Sequence, residues 1–319
     1  MKTFIINLEK DIEKKKVINN ICEKHALNYE FICAIYGFNL EESYIKSITN
    51  KNGSISQINR ELSKGEIGCT LSHMIIYKRI IDDNLPYALI LEDDAFFDDK
   101  LVTFINTFNN FKEDWDCILL GYYIGSDHKN FTISFDKKIY SKNFAYIMTS
   151  QLLSGTHGYL ISNQGAKKLL EYNKEITLPI DSYTGDSNLI KQFCIYPPII
   201  HINDQFDINT ELEQDRKRLR ALYKNLEIVK NLHNQIKGIN KCFKIIIYGY
   251  GTIGKLLYER IKDKDEIYKI IDSNFNLDEL NKNENILFIN TILSKNESIK
   301  ITNKLKSLFL NSKIISVME

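Results

Sequence analysis

The sequence predicts an α/β protein, and three observations predict it. Tyr87 to Leu91 is a run of five apolar residues bounded by Pro86 and by charge, the pattern of a fully buried strand in a parallel sheet. The chain opens with strand, helix and strand patterns in succession, a β-α-β unit whose parallel strands need a crossover helix. Toward the other end, Gly249, Gly251 and Gly254 fall as G-x-G-x-x-G directly after the β run Lys244–Tyr248 and before a helical pattern.

The elements follow in order. Thr3 to Leu8 reads as a buried strand, and Glu9 to His25 as a helix with Ile12, Val17, Ile18 and Ile21 on one face. Tyr29 to Ile35 is a second strand ending at Gly37. Residues 38–60, rich in Asn, Ser and Lys, read as a long, partly helical loop. A helix then runs to about Asp82, opened by Ser63 and Glu66 at the spacing of a capping box. After the Tyr87–Leu91 strand come a helix over Lys100–Phe111, a buried strand over Cys117–Leu120 and a polar, tyrosine-rich loop over 122–150. Ser154–Ser162 is a strand that starts with Thr156 and His157, and Ser162–Tyr172 a helix. Leu178–Tyr183 is a proline-bounded loop presenting Asp181, followed by a helix from Thr184 to Gln192. Ile195–Ile202, with two prolines, suits a sheet edge. From Leu219 to Ile236 apolar residues recur three or four apart, which gives a long amphipathic helix. Strand, helix and strand patterns then alternate to Val317. Three segments result: residues 1–205, a helical connector over 206–240, and a small domain over 241–319.

Composition narrows the function. The 319 residues carry 42 Lys and Arg against 41 Asp and Glu, a formal charge of +1, so no electrostatic case exists for wrapping nucleic acid. Six cysteines are scattered without a C-x-x-C pair, as in a protein with reduced thiols. The N-terminus turns charged after a few apolar residues, and no apolar run approaches a membrane span. The expectation is a soluble, cytoplasmic protein. Arg216, Lys217, Arg218 and Arg220 add a second expectation, contact with anionic lipid at the inner face of the cytoplasmic membrane, beside the plainer one of a solvated helix face.

The chemistry-bearing stretch is Glu92-Asp93-Asp94, which ends the buried strand. Open α/β sheets bind ligands at the carboxyl ends of their strands. In extended chain Glu92 and Asp94 share a face, where they repel unless a cation lies between them, and such oxygen ligands suit Mg²⁺ or Mn²⁺. An acidic turn ending the strand in water is the plainer reading. Asp181 is a candidate general base or a helix N-cap. His157 is a candidate phosphate or acceptor contact or a buried, hydrogen-bonded histidine, and His73 fits a supporting role.

Five blocks carry a resemblance: Phe-Ile-Ile-Asn-Leu (4–8), Gly-Glu-Ile-Gly-Cys-x-Leu-Ser-His (65–73), Leu-Pro-Tyr-Ala-Leu-Ile-Leu-Glu-Asp-Asp (85–94), Gly-Thr-His-Gly-Tyr-Leu-Ile-Ser (155–162) and Leu-Pro-Ile-Asp (178–181). In this order they resemble glycosyltransferase family 25, over residues 1 to about 202. The resemblance implies a GT-A-like nucleotide-sugar transferase fold, a UDP-sugar donor (most often UDP-galactose), an oligosaccharide or glycolipid acceptor, an inverting reaction and Mn²⁺ or Mg²⁺. It implies Asp94 and Glu92 as metal ligands, and Asn7, Leu8, Lys14, Ser72, Glu92, Asp93 and Thr156 as donor-binding residues. Lys14 stands where relatives often carry Arg, and Tyr36 stands where an Ala-hydrophobic-Asp-Gly block has its acid.

The C-terminal glycines predict a Rossmann-like βαβ module. Asp272, ending the next strand, stands about where an acid would meet a ribose hydroxyl. Some 75 residues make only half of a dinucleotide fold, so packing, dimerisation or acceptor docking stay open beside nucleotide binding. The leading expectation is a metal-dependent glycosyltransferase acting on a bacterial surface oligosaccharide. The other is an inactive nucleotide-binding scaffold.

Overall fold

The computed structural model describes residues 1–124, 138–139, 144–147, 153–206, 210–237, 239, 243–261, 267–282 and 284–318. The chain forms two compact units, Met1–Lys217 and Arg218–Glu319. Most of the 122–150 loop lies outside the described residues.

In the first unit the strands are β1 (Thr3–Asn7), β2 (Tyr29–Cys33), β3 (Tyr87–Glu92), β4 (Ala95–Phe97), β5 (Cys117–Ile124), β6 (Lys138–Ile139), β7 (Ala145–Ile147), β8 (Leu153–Ser162), β9 (Gln192–Tyr196) and β10 (Ile200–Ile202). The helices are α1 (Ile12–Lys24), α2 (Glu42–Ile48), α3 (Lys51–Ile58), α4 (Lys64–Asp82), α5 (Asp99–Thr107), α6 (Asn163–Tyr172) and α7 (Ile180–Thr184). A further helix, α8 (Glu211–Lys237), contributes its residues up to Lys217. Eight strands make one mixed sheet in the order β2-β1-β3-β8-β5-β9-β7-β6, and β10 pairs with β4 in a separate two-stranded ladder. β1 lies parallel to both β2 and β3, whereas β8 runs antiparallel to its neighbours β3 and β5.

β3 is central because it is apolar on both faces. Ala88 and Ile90 join Phe4, Tyr159 and the α4 residues Ile76, Tyr77 and Ile80 on one side. Leu89 and Leu91 join Ile5 with Ile18 of α1 and Phe104 of α5 on the other. Burying both faces of a strand between helical layers is what an unbroken apolar run allows. The capping box at Ser63 and Glu66 forms as expected and starts α4.

Several elements differ from the sequence reading. Residues 38–60 hold two helices, α2 and α3; the second starts at Asn50, whose side chain accepts from the Gly53 N–H. The helix expected over 184–192 is replaced by α7, which ends at Gly185. That residue's backbone lies so close to the Leu153 carbonyl that an added Cβ would sit 1.7 Å from its oxygen. β9 is no edge strand: it pairs with β5 and with β7. Pro197 and Pro198 follow it in the connection to β10, outside the ladder hydrogen bonds that proline cannot make. Cys33 is exposed and Cys22, Cys117 and Cys194 are buried.

The second unit is an open parallel sheet of β11 (Lys244–Tyr248), β12 (Ile267–Ile271), β13 (Ile286–Asn290) and β14 (Lys313–Ser316), in the order β12-β11-β13-β14. Val229, Leu232 and Ile236 of α8 and Ile253, Leu257 and Ile261 of α9 (Thr252–Ile261) cover one face. Leu305 of α10 (Lys295–Leu308) and Phe309 cover the other. No described helix is long and apolar enough to cross a membrane.

Candidate functional site

In the first unit, the carboxyl ends of β1 and β3 open onto a cleft of about 700 Å³. Glu92 is the last residue of β3, and the chain turns at Asp93 and Asp94 before β4. The turn breaks strict alternation, so all three carboxylates line the cleft. Lys14, from the first turn of α1, His157 and Thr156 from β8, Asp181 from α7 and Arg216 from α8 line it too.

Each carboxylate has its own surroundings. Glu92 Oε1 accepts from Thr156 Oγ1 and lies 3.4 Å from His73 Nε2. Burial alone raises the pKa of Glu92; His73 and Thr156 outweigh it and bring it to about 2. Asp93 Oδ2 accepts from Asn7 Nδ2 at 2.8 Å, and its Oδ1 lies 3.4 Å from Lys14 Nζ. Asp94 Oδ2 lies 3.6 Å from the same ammonium, while its Oδ1 is buried without a hydrogen-bond partner. Burial, with the charge of Glu92 beside it, pushes Asp94 up to about 6.

Other expected site residues take mixed positions. Leu8 and Ser72 line the cleft, but the Ser72 hydroxyl is engaged, accepting from the Ile35 N–H and donating to the Gly68 carbonyl. Asn7 is buried and turned to Asp93, so it orients a carboxylate from behind. Asp181 sits inside the first turn of α7, whose N-cap is Pro179. Burial raises its pKa, against the pull of Arg216.

The His157 ring packs at 5.3 Å from Tyr123, and burial lowers its pKa despite Glu92 and a hydrogen bond to the Ile200 carbonyl. The ring fits because residue 121 is glycine. A Cβ there would lie 2.3 Å from His157 Nε2 and 2.6 Å from the Ile200 carbonyl oxygen. Gly121→Ala is therefore expected to displace the ring and to cost about 1–3 kcal/mol, the usual range for overpacking. Thermal denaturation and donor binding measured on that variant check it; an unchanged melting point and affinity would contradict the fit.

Sequence reading missed two groups here. Glu66, only 2% exposed, takes both Arg60 Nη atoms at 2.8 Å, the Arg216 Nε at 2.8 Å and the Ser63 N–H. Arg216, grouped above with lipid-facing residues, is tied to Glu66 and faces the cleft; nothing local in the sequence announces a partner 150 residues away. Likewise Glu211 accepts from the Tyr36 hydroxyl at 2.8 Å and from Lys10 Nζ at 2.6 Å, and that ammonium sits 4.0 Å above the Tyr36 ring. Glu211 thus brings a carboxylate beside Tyr36.

Two groups are candidates to hold a cation. Cys69, His73 and Glu92 place one ligand atom each within 4.8 Å of one another. Burial holds the Cys69 thiol well above its ordinary pKa, and sulfur is a poor ligand for Mg²⁺ or Mn²⁺. Asp94 Oδ1 is a hard oxygen left without a partner beside Glu92, and it fits such an ion.

In the second unit, Gly249 adopts φ +91°, and a Cβ on Gly254 would lie 2.1 Å from the Gly249 carbonyl oxygen. Both glycines are needed by the turn itself. Gly251 faces open space. Asp272 is exposed, and its Oδ1 accepts from the Asn274 N–H.

The profile of the family described as "Glycosyltransferase family 25 (LPS biosynthesis protein)" matches residues 1–184. Procollagen galactosyltransferase 1-A of Xenopus laevis is 29% identical over 189 residues, covering 56% of this chain and 30% of the relative. Procollagen galactosyltransferase 2 of Homo sapiens is 27% identical over 188 residues, with coverage of 56% and 29%. A Haemophilus influenzae protein named as a candidate glycosyltransferase is 26% identical over 252 residues, 73% of this chain and 82% of its own. The chain thus spans under a third of the length of the procollagen relatives it matches.

Proposed function

The chain belongs to glycosyltransferase family 25, and from that premise we propose that it moves a hexose, galactose foremost, from a UDP-sugar to a hydroxyl of a bacterial surface oligosaccharide. The observation that carries this reading is the cleft itself: three carboxylates, a lysine and a candidate base converge at the carboxyl ends of β1 and β3. A sheet with β8 antiparallel between β3 and β5 supports a GT-A-like fold for the first unit, and the parallel sheet with its glycine turn supports a Rossmann-like second unit. Galactose as the sugar rests on the names of the procollagen relatives, and the acceptor class on the family's description. We place the protein in the cytoplasm, where nucleotide sugars are at hand.

Asp94, with Glu92, would hold Mn²⁺ or Mg²⁺, which supplies charge stabilisation to the departing diphosphate. The chain's own groups do the rest. Asn7 fixes Asp93, and Lys14 lies near Asp93 and Asp94 in the cleft lining. The Asp181 carboxylate takes the proton of the acceptor hydroxyl; a buried carboxylate of raised pKa is a better base than a solvated one. His157, kept neutral by burial, offers the acceptor or the diphosphate a hydrogen-bonding nitrogen. Inversion of the anomeric centre is part of this proposal, on the resemblance to the family.

The test is UDP release from a panel of UDP-sugars, with Mn²⁺ and with EDTA. The expected result is release from one sugar, abolished by EDTA. Release unaffected by EDTA would remove the cation from the reading. No release from any donor, with or without lipooligosaccharide acceptor, would favour the scaffold.

A further inference from the structure

Lys14 occupies the third position of α1, counted from the Asp11 N-cap. A helix N-terminus carries partial positive charge and disfavours a cation in its first turn. Something must hold the ammonium there, and Asp93 Oδ1 at 3.4 Å and Asp94 Oδ2 at 3.6 Å do so. Burial lowers the Lys14 pKa, but Asp93 and Asp94 outweigh it and keep the amine charged.

The hold is loose. Both distances exceed those of a well-formed charge-assisted hydrogen bond, about 2.7–2.9 Å. Asp93, by contrast, is fixed from behind by Asn7, and its position does not depend on Lys14. The lysine stem lies in the cleft lining with 22% of its side chain exposed, so the ammonium can swing while the carboxylates stay. The free oxygen of the pair, Asp94 Oδ1, is on the same carboxylate that Lys14 contacts. A divalent ion bound there would set two further positive charges beside the ammonium, and like charges at that range repel.

We propose that Lys14 is an exchangeable counter-cation: it neutralises Asp93 and Asp94 in the empty cleft, and it passes to the donor diphosphate when a divalent cation takes Asp94. This rests on the donor and cation of the proposed function. The exchange lets one lysine do two jobs in sequence. It offsets the repulsion among buried carboxylates before the substrates arrive, and it adds a positive charge to the diphosphate afterwards.

The experiment uses the full chain, Mn²⁺ alone and then UDP in saturating Mn²⁺, by titration calorimetry on wild type, Lys14→Met and Lys14→Arg. Removing the competing charge is expected to tighten Mn²⁺ binding to Lys14→Met by about tenfold, and to weaken UDP binding in saturating Mn²⁺ by about tenfold, a single charge contact each. Lys14→Arg is expected to restore both. A merely structural lysine would weaken both ligands or neither, so opposite signs are the signature. Equal or weaker Mn²⁺ binding in Lys14→Met, or unchanged UDP binding, overturns the exchange and leaves the transferase reading standing. If neither wild type nor Lys14→Met binds Mn²⁺, the cation reading itself falls and takes the exchange with it.

Discussion

Asp94→Asn is expected to reduce sugar transfer on the order of 10³-fold while raising the melting temperature of the protein. The two effects have one cause. Asp94 is partly buried beside Glu92, one of its oxygens has no partner, and its carboxyl is pushed up to about 6 from an ordinary 3.8. The sign follows from that direction. A group whose folded pKa is raised destabilises the fold in its ionised form; the penalty is absent below about 3.8 and complete above about 6. At neutral pH a neutral amide of the same shape removes it, a gain of roughly 1–3 kcal/mol after allowing for the Lys14 contact. An acid kept at such a cost is kept for something it binds, and a ligand-holding carboxylate gives an activity loss of that order when neutralised. Scanning calorimetry and UDP-release assays across pH 4–8 check both halves. The stability gain should vanish toward pH 4. A variant that loses stability and activity together would mark Asp94 as a structural acid.

The contrast between Asp94 and its neighbours shows what the sequence carried and what it did not. The buried strand was readable because Tyr87–Leu91 is apolar throughout and ends in charge, and burial of both faces follows from composition alone. That Glu92 and Asp94 face one cleft was readable from their place at a strand end; that Asp93 joins them was not, because the turn breaks the alternation. Nor were their separate partners. Asn7 reaches Asp93 only because β1 and β3 pair in parallel with Ile6 opposite Glu92, a register that no local pattern dictates. Asp181 was readable as a presented acid, but the short α7 that presents it was displaced by four residues, because Gly185 ends that helix against Leu153. The first turns of α8 were the largest omission. Apart from Leu212 their residues are polar, so the apolar spacing that reveals the helix begins only at Leu219, beyond Glu211 and Arg216 that line the cleft.

Glu66 makes the second large prediction. It is one residue with two roles, since its carboxylate closes the capping box of α4 and also gathers two guanidinium groups in a site only 2% exposed. Burial alone would raise its pKa; the Arg60 fork, Arg216 and the Ser63 N–H bring it instead to about 2 from 4.5. A depressed folded pKa means stability that is fully present above about 4.5 and lost as pH falls toward 2. The size of that shift corresponds to about 3 kcal/mol, the same range found when one partner of a buried ion pair is removed. Glu66→Gln keeps the volume and part of the cap but leaves Arg60, which is 7% exposed, without its counter-charge. Its first unit is expected to unfold roughly 10 °C below wild type at pH 7. The freed Arg216 also faces Asp181 and the cleft, so donor affinity should change along with stability. Urea denaturation at stepped pH separates charge from packing. The gap between the two proteins should close between pH 4.5 and 2, because wild-type Glu66 becomes protonated there and resembles the amide. A gap that stays constant through that window would mean that the loss comes from packing, and that the two arginines contribute no stabilising charge to the start of α4.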